Sequence, residues 1–373
     1  MLPGCGCAFI AVVTSALIAV VVIAVFLLIQ WIAQSPAPAP TMPAQTPLKT
    51  SPTSTPATTP NPTITTRPTN TPVIAPDPAI TARPTAPHSS GIAVISASRD
   101  HPWQNSLGMK FVPVPGTSVL FAIWDTRVQD FQLFVTETGY QITSEMWSHG
   151  KSIVQRKEGA TWAQPGFTQK PTNPVVGVDW DGANEFCSWL TKREHASKAL
   201  PAELHYRLPT DAEWSVAVGL DHEGGATPED KSGKITGVYP WGTKWPPPRG
   251  AGNYAGKEAA NRIQFAWASD YEDSWIFTSP VGSFDANKYG LYDMGGNVWQ
   301  WCEDWYGSTK DSRVLRGGSW DDIVETRDQQ LLSSYRGHVS FIGRVAGILP
   351  PGELGNAADN IGFRCVVSAD DSP

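Results

Sequence analysis

The sequence predicts an irregular α+β fold in which loops outweigh helices and strands. Three observations lead there. The 373 residues hold 33 Gly, 33 Pro and 16 Trp but only 17% charged residues, a composition of turns and buried aromatics. Fifteen of the Trp residues lie after residue 95, which marks the last 270 or so residues as the folded part. Helical periodicity is confined to three stretches. Beyond Val218 the chain runs through turns such as Pro246-Pro247-Pro248, Gly250-Ala251-Gly252 and Met294-Gly295-Gly296-Asn297.

From the N-terminus, residues 8–33 form a nearly continuous apolar run. At about 1.5 Å per residue it exceeds a ~30 Å hydrocarbon core and predicts a single-pass transmembrane helix. A cleaved signal peptide is the competing reading. The length of the run, beyond the roughly 15 residues of an h-region, and the absence of a basic n-region favour an uncleaved anchor. Trp31 sits at its far end, where an interfacial aromatic belongs. No Lys or Arg precedes Lys49, so charge does not set the orientation.

Residues 34–94 form a Pro/Thr-rich linker, about a quarter Pro and a quarter Thr over residues 35–90. Such a tract buries too little apolar surface to fold and favours extended, polyproline-like conformations. It predicts a disordered stalk, open to glycosylation on Thr, holding an extracytoplasmic head of residues 95–373 away from the membrane. A cytoplasmic linker is the alternative.

Within the head, Met109–Val114 and Val119–Trp124 read as strands joined by the Pro115-Gly116 turn. Thr126 opens a helix, with Gln129 completing a capping box, Gly139 as its stop, and Val128, Phe131 and Val135 as its buried face. Asp179 caps a second helix whose Ala183, Phe186, Cys187 and Leu190 repeat at i, i+3, i+4 and i+7. A third begins at Thr210, boxed with Glu213. The long loops that follow need ligands or metal to satisfy their backbone groups.

A net charge of −7 and no basic run leave no footprint for a nucleic-acid partner. Of five cysteines, Cys5 and Cys7 precede the apolar run, leaving Cys187, Cys302 and Cys365 without a CxxC pair. The seven histidines form no HExxH and no HxxxHxE, so the common zinc-protease and histidine-rich iron signatures are absent.

A series of motifs then points to a family. Phe111-Val112-Pro113-Val114-Pro115-Gly116, Asn173-Pro174-Val175-Val176-Gly177-Val178 and Arg207-Leu208-Pro209-Thr210-Asp211-Ala212-Glu213-Trp214 come in order. Tyr239-Pro240-Trp241-Gly242, Gly252-Asn253-Tyr254-Ala255 and Pro280-Val281-Gly282-Ser283-Phe284 follow. Next comes the most specific stretch, Tyr289-Gly290-Leu291-Tyr292-Asp293-Met294-Gly295-Gly296-Asn297-Val298-Trp299-Gln300-Trp301. Arg316-Gly317-Gly318-Ser319-Trp320 and Gly362-Phe363-Arg364-Cys365 complete the series. The chain resembles the sulfatase-modifying-factor (formylglycine-generating-enzyme) family over about 270 residues, which implies one loop-rich domain of the C-type-lectin-like superfamily.

The resemblance implies more. The family's oxidase holds copper with two cysteines five residues apart, just after the segment matching Arg316–Trp320; two soft thiolates suit Cu(I). Here those positions are Asp322 and Arg327, and no cysteine lies between Cys302 and Cys365. Cys302, in an aromatic stretch, reads as a small buried hydrophobe. No catalytic residue and no copper are therefore expected. Calcium is implied at a first site of Asn253, Tyr254, Asp273 and Trp275, and at a second of Asp293, Gly296, Val298 and Gln300. Side-chain and carbonyl oxygens would supply six to eight donors. Gln300 stands where a glutamate is usual, so the second site loses a charge; loop hydrogen bonds without metal are the alternative at both. The resemblance also implies a disulfide between Cys187 and Cys365, and with it an oxidising compartment, two separately buried thiols being the alternative.

The functional expectation is a membrane-anchored, non-catalytic module that binds or scaffolds a protein, peptide or glycan, with residues 321–360 as the binding face. An oxidoreductase acting on protein cysteine with other metal ligands is the alternative, and a purely structural envelope protein is the third reading.

Overall fold

The computed structural model describes residues 95–141, 146–149, 154–156, 159–220, 222–259, 270–322, 329–340 and 357–369. All belong to the second of two units, Thr81–Pro373. The expected membrane helix and stalk, residues 8–33 and 34–94, lie outside them. Among the described residues no helix is long and apolar enough to cross a membrane.

The chain opens with β1 (Trp103–Gln104), β2 (Lys110–Pro113) and β3 (Leu120–Ala122), followed by helix α1 (Val128–Thr138). Strands β4 (Met146–His149) and β5 (Val154–Arg156), helix α2 (Trp180–Ser197), β6 (Leu204–Arg207), and helices α3 (Asp211–Val218) and α4 (Pro228–Lys231) come next. After a long loop region follow β7 (Trp299–Trp305), β8 (Ser312–Arg316), β9 (Gly337–Ser340), β10 (Ala357–Ala358), β11 (Ile361–Gly362) and β12 (Val366–Ala369).

The largest sheet has the order β1-β2-β3-β12-β6, so the last strand is inserted between early ones and ties the two ends of the head together. Both of its faces are buried, and the two-residue period of a strand decides which side chain meets which core. Phe111, Leu120, Ala122 and Val367 face a core shared with Phe131 and Phe134 of α1 and Ala183, Phe186, Cys187 and Leu190 of α2. Val112, Phe121 and Val366 face the other way, toward Trp214 of α3, Cys302 and Val314. A second sheet, β11-β7-β8-β9, and a third, β10-β4-β5, complete the described strands. A separate aromatic cluster of Tyr239, Tyr254 and Tyr271 with Leu331 and Leu332 lies under the loops.

The hairpin and three helices match the sequence reading, with two corrections in α1. Its N-cap is Arg127, not Thr126, and the boxing carboxylate is Asp130, whose Oδ2 accepts the Arg127 N–H at 3.0 Å. Thr126 is unavailable because its backbone bridges Phe363 and Val175: its N–H donates to Phe363 and its carbonyl accepts from Val175. Its hydroxyl lies 3.8 Å from the Cys365 sulfur. The buried face is Phe131 and Phe134, while Val128 and Val135 are half-buried. Gly139 ends the helix at φ 69° as expected.

Candidate functional site

Strand β8 delivers Arg316 to a buried junction and then turns. Gly317 and Gly318 both take positive φ, 100° and 77°, a left-handed pair that side chains rarely adopt. The turn brings Ser319, Trp320 and Asp322 inward. Asp322 Oδ2 accepts the Ser319 N–H at 2.7 Å and the Ser319 hydroxyl at 2.8 Å, closing a three-residue loop on itself. Its carbonyl accepts the Ala255 N–H. Asn360 Nδ2 donates to the same Ser319 hydroxyl at 3.2 Å, and the Trp320 indole donates to the Asp359 carbonyl. Trp320 is buried beneath the stacked pair Phe167 and Phe277, whose centroids are 4.3 Å apart. The position expected to have lost a copper thiolate is therefore occupied by a carboxylate holding its own loop. Arg327 lies outside the described residues, as does most of the anticipated binding face over residues 321–360.

The three cysteines of the head stand elsewhere. Cys302 is fully buried in the core beneath α3, and that burial pushes its thiol well up from the usual range. Cys187 and Cys365 meet in the opposite core with sulfurs 3.6 Å apart. Here the expected bridge is corrected: the two are facing thiols, both free and buried. Burial, reinforced by Cys365, raises the Cys187 thiol strongly.

The first expected cation site is brought together. Asp273 Oδ2 accepts the Tyr254 N–H and its Oδ1 the Trp275 N–H, each at 2.8 Å. Asn253 is wholly buried, donating through Nδ2 to the Phe277 carbonyl and to Asn297 Oδ1, while its own Oδ1 has no donor. A further carboxylate, which sequence reasoning missed, faces Asp273: Glu258, with both oxygens buried and without a donor. Burial pushes the Asp273 carboxyl up to about 7, and Glu258 raises it further against its two backbone hydrogen bonds. The signal available in the sequence was Glu258 placed two residues after a glycine in the Asn253 loop. Donorless buried oxygens of this kind fit a hard divalent cation.

At the second expected site most of the oxygens already have donors: Asp293 Oδ2 accepts the Gly282 N–H at 2.8 Å, and only Asp293 Oδ1 is left buried without one. Gln300 Oε1 accepts from the Trp214 indole at 2.9 Å and from Arg364 Nε at 2.7 Å, and its Nε2 donates to the Asp293 carbonyl at 2.8 Å. Arg364 Nη2 adds a second donor to that carbonyl at 3.1 Å. The Gly296 carbonyl takes the Val298 N–H. Arg364 is fully buried and also lies 3.2 Å from Asp125. Burial raises the Asp125 carboxyl to about 8, opposed by Arg364, and raises Asp293 to about 6. With an amide N–H and a guanidinium already on the Asp293 carbonyl and a guanidinium on the Gln300 oxygen, a single donorless Asp293 Oδ1 is too small a set of free oxygens to fit a calcium ion.

Two further features complete the picture. Arg316 and Arg336, both buried, converge on Asp211 and Ser215, and Arg336 also pairs with Glu223. Burial opposes the charge on Asp211, but the two guanidiniums outweigh it and hold the carboxyl below its usual range. A cavity of about 400 Å³ opens beside the Tyr239-Pro240-Trp241-Gly242 turn. The Tyr239 and Trp241 rings stack at 4.9 Å and 3°, and Arg249, Asp285 and Lys288 stand at its mouth.

Comparison with known proteins follows the same lines. Residues 117–369 match the sulfatase-modifying factor enzyme 1-like domain. The chain is 32% identical over 279 residues to an inactive C-alpha-formylglycine-generating enzyme 2 of Bos taurus, covering 67% of this chain and 77% of that protein. It is 31% identical over 189 residues to a formylglycine-generating enzyme of Thermomonospora curvata, covering 43% of this chain and 51% of the other. Among solved structures, PvdO from Pseudomonas aeruginosa aligns with a TM-score of 0.42 at 19% identity, covering 67% of this chain and 80% of that one.

Proposed function

The chain belongs to the sulfatase-modifying factor enzyme 1-like family, and from that premise we propose that it is a non-catalytic member, a membrane-anchored head that binds or scaffolds a ligand. One observation carries the proposal. Asp322 spends its carboxylate on Ser319 at the position where the family resemblance places a copper thiolate. A hard carboxylate already hydrogen-bonded to its own loop is a poor ligand for Cu(I), which prefers thiolates. Cys302, Cys187 and Cys365 are buried in the cores and give no substitute. The relative of Bos taurus that carries the word inactive in its name supports the same reading.

The ligand-binding part of the proposal rests on the cavity beside Tyr239 and Trp241. A stacked aromatic wall with charged groups at the rim suits the apolar face of a sugar or an aromatic side chain of a peptide. The anchor and the extracytoplasmic placement rest on residues 8–33 and on the Pro/Thr tract.

The decisive experiment is oxygen uptake by the full chain with a cysteine-containing peptide and Cu(I), together with mass spectrometry of the peptide. No uptake and an unchanged peptide are expected. Conversion of the peptide cysteine to an aldehyde would overturn the proposal in favour of an oxidase with other ligands.

A further inference from the structure

We infer that the head takes one calcium ion, not two, that Glu258 is a carboxylate ligand of the occupied site, and that the Gln300 amide has taken the place of the second ion. The inference holds whether or not the chain is catalytic.

The argument for Glu258 starts at Gly256. A Cβ there would lie 2.8 Å from Glu258 Oε1 and 2.6 Å from the Tyr271 carbonyl, so only glycine leaves room for the Glu258 carboxylate to fold back over the loop. The carboxylate is thereby packed against Asp273, with both oxygens out of solvent and no hydrogen-bond donor. Lys257 does not serve as its counter-ion; its ammonium pairs with Asp270 at 3.4 Å. Asn253, wholly buried on the same loop, adds an Oδ1 that also lacks a donor. Two facing carboxylates, of which Asp273 has one backbone N–H on each oxygen and Glu258 has none, beside a donorless buried amide oxygen, are costly unless a cation stands between them. Oxygen-only donors with two formal charges select a hard divalent ion, and the loop's irregular spacing suits calcium better than the strict octahedron of magnesium.

The argument for Gln300 rests on which end of its amide points where. The Trp214 indole and Arg364 Nε are donors without acceptor capacity, and both reach the same Gln300 atom, so that atom is the oxygen. The NH₂ group must then face the Asp293 carbonyl, 2.8 Å away. A glutamate here would set a carboxylate oxygen against that carbonyl, two acceptors that need a cation to bridge them. The amide N–H bridges them directly.

Calcium titration calorimetry on the full chain, stripped with chelator beforehand, tests both halves. One ion per chain is expected. Glu258→Gln is expected to weaken binding about tenfold, because ligand charge sets affinity at such sites, while Lys257→Gln leaves it unchanged. Gln300→Glu is expected to raise the stoichiometry to two. Circular dichroism and thermal melting confirm that each variant folds, and Glu258→Asp, which keeps the charge but withdraws it by one methylene, should fall between wild type and Glu258→Gln. Two ions on the unaltered chain, no ion at all, an unchanged affinity in Glu258→Gln, or a single ion in Gln300→Glu would each overturn the inference.

Discussion

The Asn253–Trp275 loop and the Asp293–Gln300 turn are built from the same materials and solve the same problem in opposite ways. Each places a carboxyl group on irregular backbone, the half-buried Asp273 in the loop and the buried Asp293 in the turn that leads into β7. In the turn, the Asp293 carbonyl and the Gln300 oxygen already have donors from Gln300, Trp214 and Arg364, and Asp293 Oδ2 takes the Gly282 N–H, which leaves Asp293 Oδ1 alone without a donor. In the loop, Glu258 and Asn253 Oδ1 have none. The difference teaches that a loop-rich fold balances its buried acceptors with whatever cation is at hand. A guanidinium does so permanently, whereas a metal ion does so only when present.

The comparison breaks most sharply at Arg364. Arg364→Met removes a fully buried guanidinium that serves Asp125, Gln300 and the carbonyls of Ala122, Tyr292 and Asp293. Breaking a buried pair by removing one partner costs about 3–5 kcal/mol. Urea denaturation should show that loss, and added calcium should not recover it. A loss under 1 kcal/mol would mean that the turn is not held by this side chain.

The Ser319–Asp322 loop is likewise held by internal donors, at smaller scale. Asp322→Ala removes two hydrogen bonds to a carboxylate, each worth about 1.5–3 kcal/mol before the exposed backbone finds water. A net loss of about 2 kcal/mol is expected in the same assay. Unchanged stability would show that the carboxylate does something other than close its loop.

These contrasts also explain what the sequence made legible. The caps at Asp179 and Thr210 were readable because capping is local: Asp179 accepts from Gly182 and Thr210 from Glu213, three residues on. The stripe Ala183, Phe186, Cys187 and Leu190 was readable because its periodicity is intrinsic to a helix, and all four are buried. Thr126 misled because a contact from the far end of the chain, Phe363, claimed its backbone. At the site, the loss of the cysteine pair was plain from the residue types at 322 and 327. What Asp322 does instead was not, nor were Glu258, Asp125 and the reach of Arg364. Glu258, Asp125 and Arg364 depend on partners supplied by folding, such as Arg364 with Asp125, which lie far apart in the sequence. Asp322, by contrast, meets Ser319 three residues back, in a turn outside any described helix and with no periodic stripe to mark it. Residue types announce chemistry only when the partners are neighbours.

The two regions should also separate by pH. Burial raises Asp125 to about 8 and Asp293 to about 6 in the folded chain, against about 3.9 for a free aspartate. A carboxyl with a raised folded value binds its proton more tightly in the folded state, so its contribution is fully present below the unfolded value and is lost as pH rises through the folded one. Stability should therefore fall between about pH 4 and pH 8, with a slope of at most about 1.4 kcal/mol per pH unit for each proton involved. Urea midpoints in chelator at pH 5 and pH 8 measure it, and Asp125→Asn should flatten the upper part of the fall. Calcium should relieve only the share due to Asp273. Stability that rises across this window would contradict the assigned directions.

The smallest effect gives the finest test. Glu258→Gln in chelator removes one of two facing carboxyls and supplies an amide that can donate to the other. If Glu258 lacks a donor, as its buried oxygens indicate, the exchange should leave stability unchanged or raise it by up to about 1 kcal/mol. That sign is opposite to the one expected at Arg364. Adding calcium should then reverse the ranking, because the unaltered chain gains binding energy that the variant largely loses. The same substitution thus stabilises the metal-free loop and weakens the loaded one. A protein loop held by internal donors, such as the Asp293–Gln300 turn, has no condition under which losing a charged partner helps. A loss of more than 1 kcal/mol in chelator would place a donor on Glu258 and make the two loops alike.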